Sequence, residues 1–197
     1  MSGQTSTITG IILVGGKSRR MGTDKAFLRI GGVPLFERVL RAMAENFSSI
    51  LLIGDRQELY QGYGLPVIAD RYPGSALGGL YTGLHAAATD LVFAAPCDMP
   101  FPSRSLIRHI CSMADDFDVV VPRTRQGFEP LFALYRKSCL GPMLRLLEAG
   151  KYRVFDFYPE VVVRDLKAEE LDPFADEGRA FLNLNTPEEF ALLKEEP

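Results

Sequence analysis

Apolar residues cluster along this chain in two alternating ways. Runs at 11–14, 50–53 and 91–95 contain no polar residue and have the length of strands buried on both faces, and 117–121 reads as a further strand. Between them apolar positions recur three and four residues apart. Leu35, Phe36, Val39, Leu40, Met43 and Phe47 predict one helix, with Pro34 at its start. Leu106, Ile107, Ile110 and Met113 predict another behind a Ser103 cap, and 140–149 a third that Gly150 stops. The segment 65–70 reads as a short strand near a sheet edge, where Pro66 is tolerated. Strand, helix and strand in succession make a parallel βαβ unit. The pattern predicts one α/β domain over residues 1–197 with a mainly parallel, doubly wound sheet, the polar residues 1–7 being disordered. Residues 154–163, where short apolar runs alternate with proline and aromatics, predict no definite topology.

The first run, ending in Leu13 and Val14, breaks into Gly15-Gly16-Lys17-Ser18-Arg19-Arg20-Met21-Gly22-Thr23-Asp24-Lys25, and apolar spacing resumes at Ala26, Phe27 and Leu28. A buried strand entering such a loop is how open α/β sheets present a phosphate site. The glycines let backbone N–H groups approach the anion, and the next helical turn adds its positive end. Lys17, Arg19, Arg20 and Lys25 set four cations within nine residues against one acid, Asp24, an excess suited to a triphosphate. It is not a Walker loop, because the position five residues before Gly16 is Ile11, and G-x-G-x-x-G is absent. A plain turn with solvated basic side chains remains the alternative for these residues taken alone.

A second glycine-rich passage, with Gly74, Gly78, Gly79 and Gly83, reads as a loop leading into a tightly packed helix; ligand contact and close packing explain its glycines equally well. Asp98 follows the run 91–95 and Pro96, which should end that strand's pairing. The acid then lies past the carboxyl end of a central strand, where α/β sheets place ligands, and is a candidate metal ligand. Loop acids are more often simply solvated. Asp70 ends the edge strand. Arg123 and Arg125 lie in a polar loop, for which solvation is the simpler account. Asn183 and Asn185 share one face of an extended segment, while Thr186, Pro187 and Glu189 make an ordinary helix opening.

Leu13-Val14-Gly15-Gly16, Ser18, Arg20-Met21-Gly22 and Asp24-Lys25-Ala26 together resemble the signature of the nucleotidyltransferases typified by the molybdenum cofactor guanylyltransferases, the MobA family. Cys97-Asp98-Met99-Pro100, the segment 129–135 and Phe181-Leu182-Asn183-Leu184-Asn185-Thr186-Pro187 extend the likeness over almost the whole chain. Where that family has Gly-Pro-Leu-x-Gly, this chain has Ala76 in place of the proline. The resemblance implies a Rossmann-like fold of the nucleotide-diphospho-sugar transferase type. It implies transfer of GMP from GTP to the phosphate of molybdenum-bearing molybdopterin, with Mg2+. Leu13, Val14, Gly15, Gly16, Gly22, Lys25, Asp70, Gly78 and Asp98 would then bind GTP. Asp98, Lys25 and Arg20 would serve catalysis, with Asp98 on the metal, and Asn183 and Asn185 would bind the acceptor. A relative using CTP or a sugar-phosphate acceptor, or a non-catalytic nucleotide-binding module, remains the alternative.

Composition narrows the class. Hydrophobic residues at 47% and charged residues at 24% are ordinary for a soluble domain, and a net charge of −3 disfavours nucleic acid as a partner. The N-terminus lacks the basic stretch of a secretory signal, and no run is long enough to span a membrane. Three scattered cysteines fit reduced thiols in a cytoplasmic protein, and only two histidines make zinc or Ser-His chemistry improbable. A monomer is favoured, and participation of molybdoenzyme-specific chaperones is left open.

Overall fold

The computed structural model describes residues 7–15, 25–174 and 176–182, the side chains of 176–178 excepted. Strand β1 (Ile8–Leu13) is buried throughout and is the hub of the sheet. On one side it pairs in parallel with β4 (Ile50–Ile53), and β4 with the short edge strand β5 (Val67–Ile68). On the other side it pairs in parallel with β6 (Leu91–Pro96). The chain thus winds one way from β1 and then back across it, so the β1–β6 boundary is the switch point where α/β sheets open a crevice. Hairpin β2 (Arg29–Ile30) and β3 (Val33–Pro34) stands apart, turned by Gly31 and Gly32 at positive φ. Pro34 accordingly closes β3 and caps α1 (Leu35–Ala44), one residue earlier than its expected place inside the helix.

Beyond β6 the order is β9 (Ala133–Arg136), β7 (Val119–Thr124) and β10 (Val163–Lys167). Here β9 runs antiparallel to both β6 and β7, and β10 runs parallel to β7. The expected mainly parallel, doubly wound sheet is present, with β9 reversed within it. A small strand β8 (Gly127–Phe128) folds back antiparallel on β7, and the undecided stretch 154–163 forms a 3-10 helix over 154–160 and then enters β10.

Side chains alternate across β1, as period two requires. Ile8 and Ile12 enter one core with Phe36, Val39 and Met43 of α1 and Leu106, Ile107 and Ile110 of α3 (Arg104–Cys111). Ile11 and Leu13 enter the other, with α2 (Ala76–Ala86) and α4 (Leu140–Glu148). Helices therefore cover both faces. The second glycine-rich passage is a turn leading into a tightly packed helix, as expected: Gly74 lies in the turn, and Gly78, Gly79 and Gly83 lie buried inside α2. A Cβ at Gly83 would stand 2.5 Å from Ile11 Cδ1, so α2 approaches the sheet as closely as it does only because glycine is there. Among the described residues, no helix is long and apolar enough to cross a membrane.

Candidate active site

The carboxyl ends of β1 and β6 meet at the switch point. Pro96 is the last residue of β6, as expected. It sits opposite Leu13, and the next residue, Cys97, donates its N–H to the Leu13 carbonyl at 3.3 Å. Proline lacks only its own donor, so the ladder continues one residue further. Val14 donates to the Ile53 carbonyl at 2.9 Å, which ties the start of the glycine loop to β4. Gly15 is exposed at this edge, and a Cβ at Gly54 would stand only 2.9 Å from its nitrogen. Gly16, Arg20 and Gly22 lie outside the described residues.

Lys25, half-buried, opens a 3-10 turn through Phe27. Its charge reaches Asp98, so two residues far apart in sequence act on each other here. Burial pushes the Asp98 carboxyl above its ordinary range; the Lys25 ammonium and Asp98's own backbone N–H oppose this without cancelling it. Met99 and Pro100 are buried beside it, and Phe101 lies under two guanidiniums, Arg179 at 4.1 Å and Arg38 at 5.8 Å from ring centre.

Asp98 opens into a cavity of about 260 Å³ walled by Pro96, Met99, Glu129, Pro130, Leu131 and Phe132. Since β9 is reversed, its amino end comes to the edge where the parallel strands have their carboxyl ends, and the residues just before it form this wall. The wall is well held. Glu129 donates its N–H to Pro122 at 2.9 Å and its carbonyl accepts from Phe132 at 3.0 Å. The buried Tyr135 hydroxyl donates to the Pro130 carbonyl at 2.5 Å and lies 3.1 Å from the Tyr158 hydroxyl. Burial raises the Glu129 carboxyl too, opposed by the Thr124 hydroxyl that donates to it at 3.4 Å. Glu129 was not singled out from the sequence. The available signal was an acid immediately before Pro-Leu in a segment resembling an acceptor border.

Asp70 reaches the same edge, but its Oδ1 is engaged in structure: it accepts from the Tyr72 N–H and the Thr82 hydroxyl, both at 2.9 Å. Its Oδ2 lies 3.8 Å from where a Gly79 Cβ would be. Asp70 thus clamps the turn 70–75 onto α2. Gly78 likewise has a packing role, its N–H held by the Ser75 hydroxyl at 3.0 Å as part of the α2 cap. Arg123 is exposed, lies 5.1 Å over the Phe128 ring and faces Asp165 at 3.4 Å, so it is already engaged away from the cavity. Asn183 and Asn185 lie outside the described residues. The segment leading to them does arrive here: Phe181 meets the cavity residue Phe132 edge to face at 6.0 Å. Among the described residues, no group of three or more His, Cys, Asp or Glu could hold a metal ion.

Comparison with known proteins matches residues 10–162 to the MobA-like NTP transferase domain. A Pelotomaculum thermopropionicum protein named probable molybdenum cofactor guanylyltransferase is 40% identical over 91% of this chain and 88% of its own. One from Carboxydothermus hydrogenoformans with the same name is 34% identical over 94% of each chain. In structure, the chain superposes on molybdopterin-guanine dinucleotide biosynthesis protein A from Archaeoglobus fulgidus with a TM-score of 0.82, covering 94% of this chain and 96% of that one at 24% identity. The matched region runs from the middle of β1 to the start of β10 and takes in Asp98, Lys25 and the Glu129 wall. The chain belongs to the MobA-like NTP transferase family, and it is a nucleotidyltransferase.

Proposed function

We propose that this enzyme transfers GMP from GTP to molybdenum-bearing molybdopterin, releasing pyrophosphate and forming the guanine dinucleotide cofactor. Asp98 carries the assignment. It is a half-buried acid two residues past the end of β6, under the charge of Lys25 and open to a cavity. A nucleotide held at the loop and an acceptor in the cavity would meet at that point. The names of the two relatives supply guanine and the pterin.

Asp98 suits a divalent cation. Its carboxylate is hard and partly desolvated, and within the described residues its own backbone N–H is the hydrogen bond that stabilises its charge. Mg2+ takes one or two carboxylates and completes its shell with substrate phosphate oxygens and water, so one acid is enough. When bound, it would neutralise charge on the phosphates.

The protein's own work is positioning and charge. An acceptor phosphate monoester has a second pKa near ~6 and is a dianion at neutral pH, so it attacks without a general base. One of its oxygens bonds to the α-phosphorus as the bond from that phosphorus to the bridging oxygen of pyrophosphate breaks. Lys25 and Arg20 offset the repulsion between two polyanions, and the loop at Leu13, Val14, Gly15, Gly16 and Gly22 orients the donor. Asn183 and Asn185, whose amides both donate and accept, hold the acceptor. Asp70 and Gly78 shape the nucleotide side by fixing the turn 70–75 against α2. The three free thiols, with burial pushing Cys111 and Cys139 up to about 12, support a protein working in the reducing cytoplasm.

Purified protein should release pyrophosphate from GTP only when molybdopterin acceptor is added. Turnover of CTP without GTP would end the guanylyl assignment. The Lys25→Met variant keeps side-chain length and removes the charge. Its affinity for GTP should fall roughly tenfold or more, since charge-assisted hydrogen bonds contribute about 1.5–3 kcal/mol. An unchanged nucleotide titration would return Lys25 to the solvated surface. Replacing Asn183 or Asn185 with Ala should raise the acceptor KM and leave GTP binding nearly intact. Equal loss of both would mark the closing segment as general packing.

A further inference from the structure

We propose that Glu129 selects the acceptor, its carboxylate receiving two adjacent N–H donors from the edge of a planar 2-amino-4-oxopyrimidine ring lodged in the cavity beside Asp98. The proposal rests on the guanylyltransferase assignment and names the residue that reads its second substrate. Pterins present this edge; guanine presents it too.

The cavity is walled largely by carbon, from Pro96, Met99, Pro130, Leu131 and Phe132, and Glu129 stands in that wall. Asp98 lines it as well. A largely apolar pocket with a small number of placed polar groups is the usual make-up of a small-molecule site. The Glu129 carboxylate is also under-supplied. Among the described residues it receives one long bond, 3.4 Å from the Thr124 hydroxyl, and no lysine or arginine pairs with it. A partly buried carboxylate has room for several donors and is costly to leave without them. Two parallel N–H groups from one ring edge would fill both oxygens at once, as a guanidinium does.

The group is held still before any ligand arrives. Its backbone is fixed on both sides by Pro122 and Phe132, and the next carbonyl by Tyr135, itself in contact with Tyr158. Rigid placement favours recognition because little freedom is lost on binding. The rival role, sharing a cation with Asp98, fits less well. A second anion facing the incoming phosphate would repel it, whereas the ring end of the acceptor carries no such charge.

Glutamine at this position tests the chemistry at almost constant shape. The amide keeps one acceptor oxygen and replaces the other with a donor, which matches a ring bearing a 2-oxo group in place of the 2-amino group. Fluorescence titration of the wild-type protein with 6-hydroxymethylpterin and 6-hydroxymethyllumazine should favour the pterin by about tenfold. The Glu129→Gln variant should lose or reverse that preference, with GTP affinity and melting temperature unchanged. A wild-type protein that binds neither ring, or both equally, overturns the proposal whatever the variant does. So does a variant whose preference is intact but whose GTP affinity has fallen, which would assign the edge to guanine. Absence of pyrophosphate release alongside the switched preference would sink the guanylyl assignment and leave Glu129 as the ring reader.

Discussion

Asp98→Asn should give a folded protein whose kcat is lower by at least ~100-fold. The amide keeps the size and one oxygen but not the charge that holds a cation and complements Lys25. Folding should not suffer. Burial raises the Asp98 pKa above its unfolded value of 3.8, so the native state binds the proton more tightly than the unfolded chain. The acid therefore disfavours folding once pH rises through that folded pKa, and the penalty fades as pH falls back below 3.8. With metal chelated, the variant should melt no lower than the wild type at neutral pH, and any advantage should shrink on acidification. Pyrophosphate release and thermal melting, each followed through a Mg2+ titration, decide the matter. Normal turnover by Asp98→Asn at low Mg2+ would remove the metal site.

Gly78→Ala should be the most destabilising single methyl in the protein's second glycine-rich passage. The added Cβ would fall 2.0 Å from the Tyr72 carbonyl oxygen and 2.9 Å from its carbon, both backbone atoms that no rotamer change can move. The turn cannot swing away cheaply, because Asp70 binds Tyr72 and Thr82 at once. Alanine gains about 1 kcal/mol of helix propensity over glycine, but overpacking of this kind costs about 3 kcal/mol. The net loss of about 2 kcal/mol is a melting drop of roughly 4–8 °C for a chain of this size. Gly79→Ala is the internal control: its Cβ would meet Leu13 Cδ2 at 3.4 Å and Asp70 Oδ2 at 3.8 Å, both ordinary contacts, and the variant should melt close to the wild type. Equal melting of both variants and the wild type would show that the Tyr72 turn yields.

What could be read from the sequence, and what could not, follows from which forces are local. β1, β4 and β6 are written as unbroken apolar runs because both their faces are covered, and α1 and α3 as stripes because one face is. Lys25 and Asp98 could be placed because each follows such a run. The direction of β9 could not, since strand polarity is settled by partners distant in the chain. The two-residue strands of the β2–β3 hairpin are too short to show a period. Gly78, Gly79 and Gly83 argue against a helix by propensity, and α2 forms regardless because its burial against Ile11 and Ile53 outweighs it. Glu129 reads as an ordinary loop acid until β9 carries it to the cavity. Asp70 reads as leading into a turn at 71–74, but the two hydrogen bonds that occupy its Oδ1 come from Tyr72 within that turn and from Thr82 on α2, a partner that no local pattern assigns.

The reversed strand also sets the order in which the protein can be finished on a ribosome. β7 is synthesised before β9, yet it joins the parallel half of the sheet only through β9. While the part of the chain that has emerged from the ribosome ends between Phe128 and Ala133, the outer edge of β6 has no neighbour. The valines at 119–121 have no place to dock, and only the short β8 return covers any part of β7. Unpaired apolar strands of this kind seed intermolecular pairing. A pause at that point prolongs the exposure, and the few residues of β9 cover the facing edges of β6 and β7 in one step.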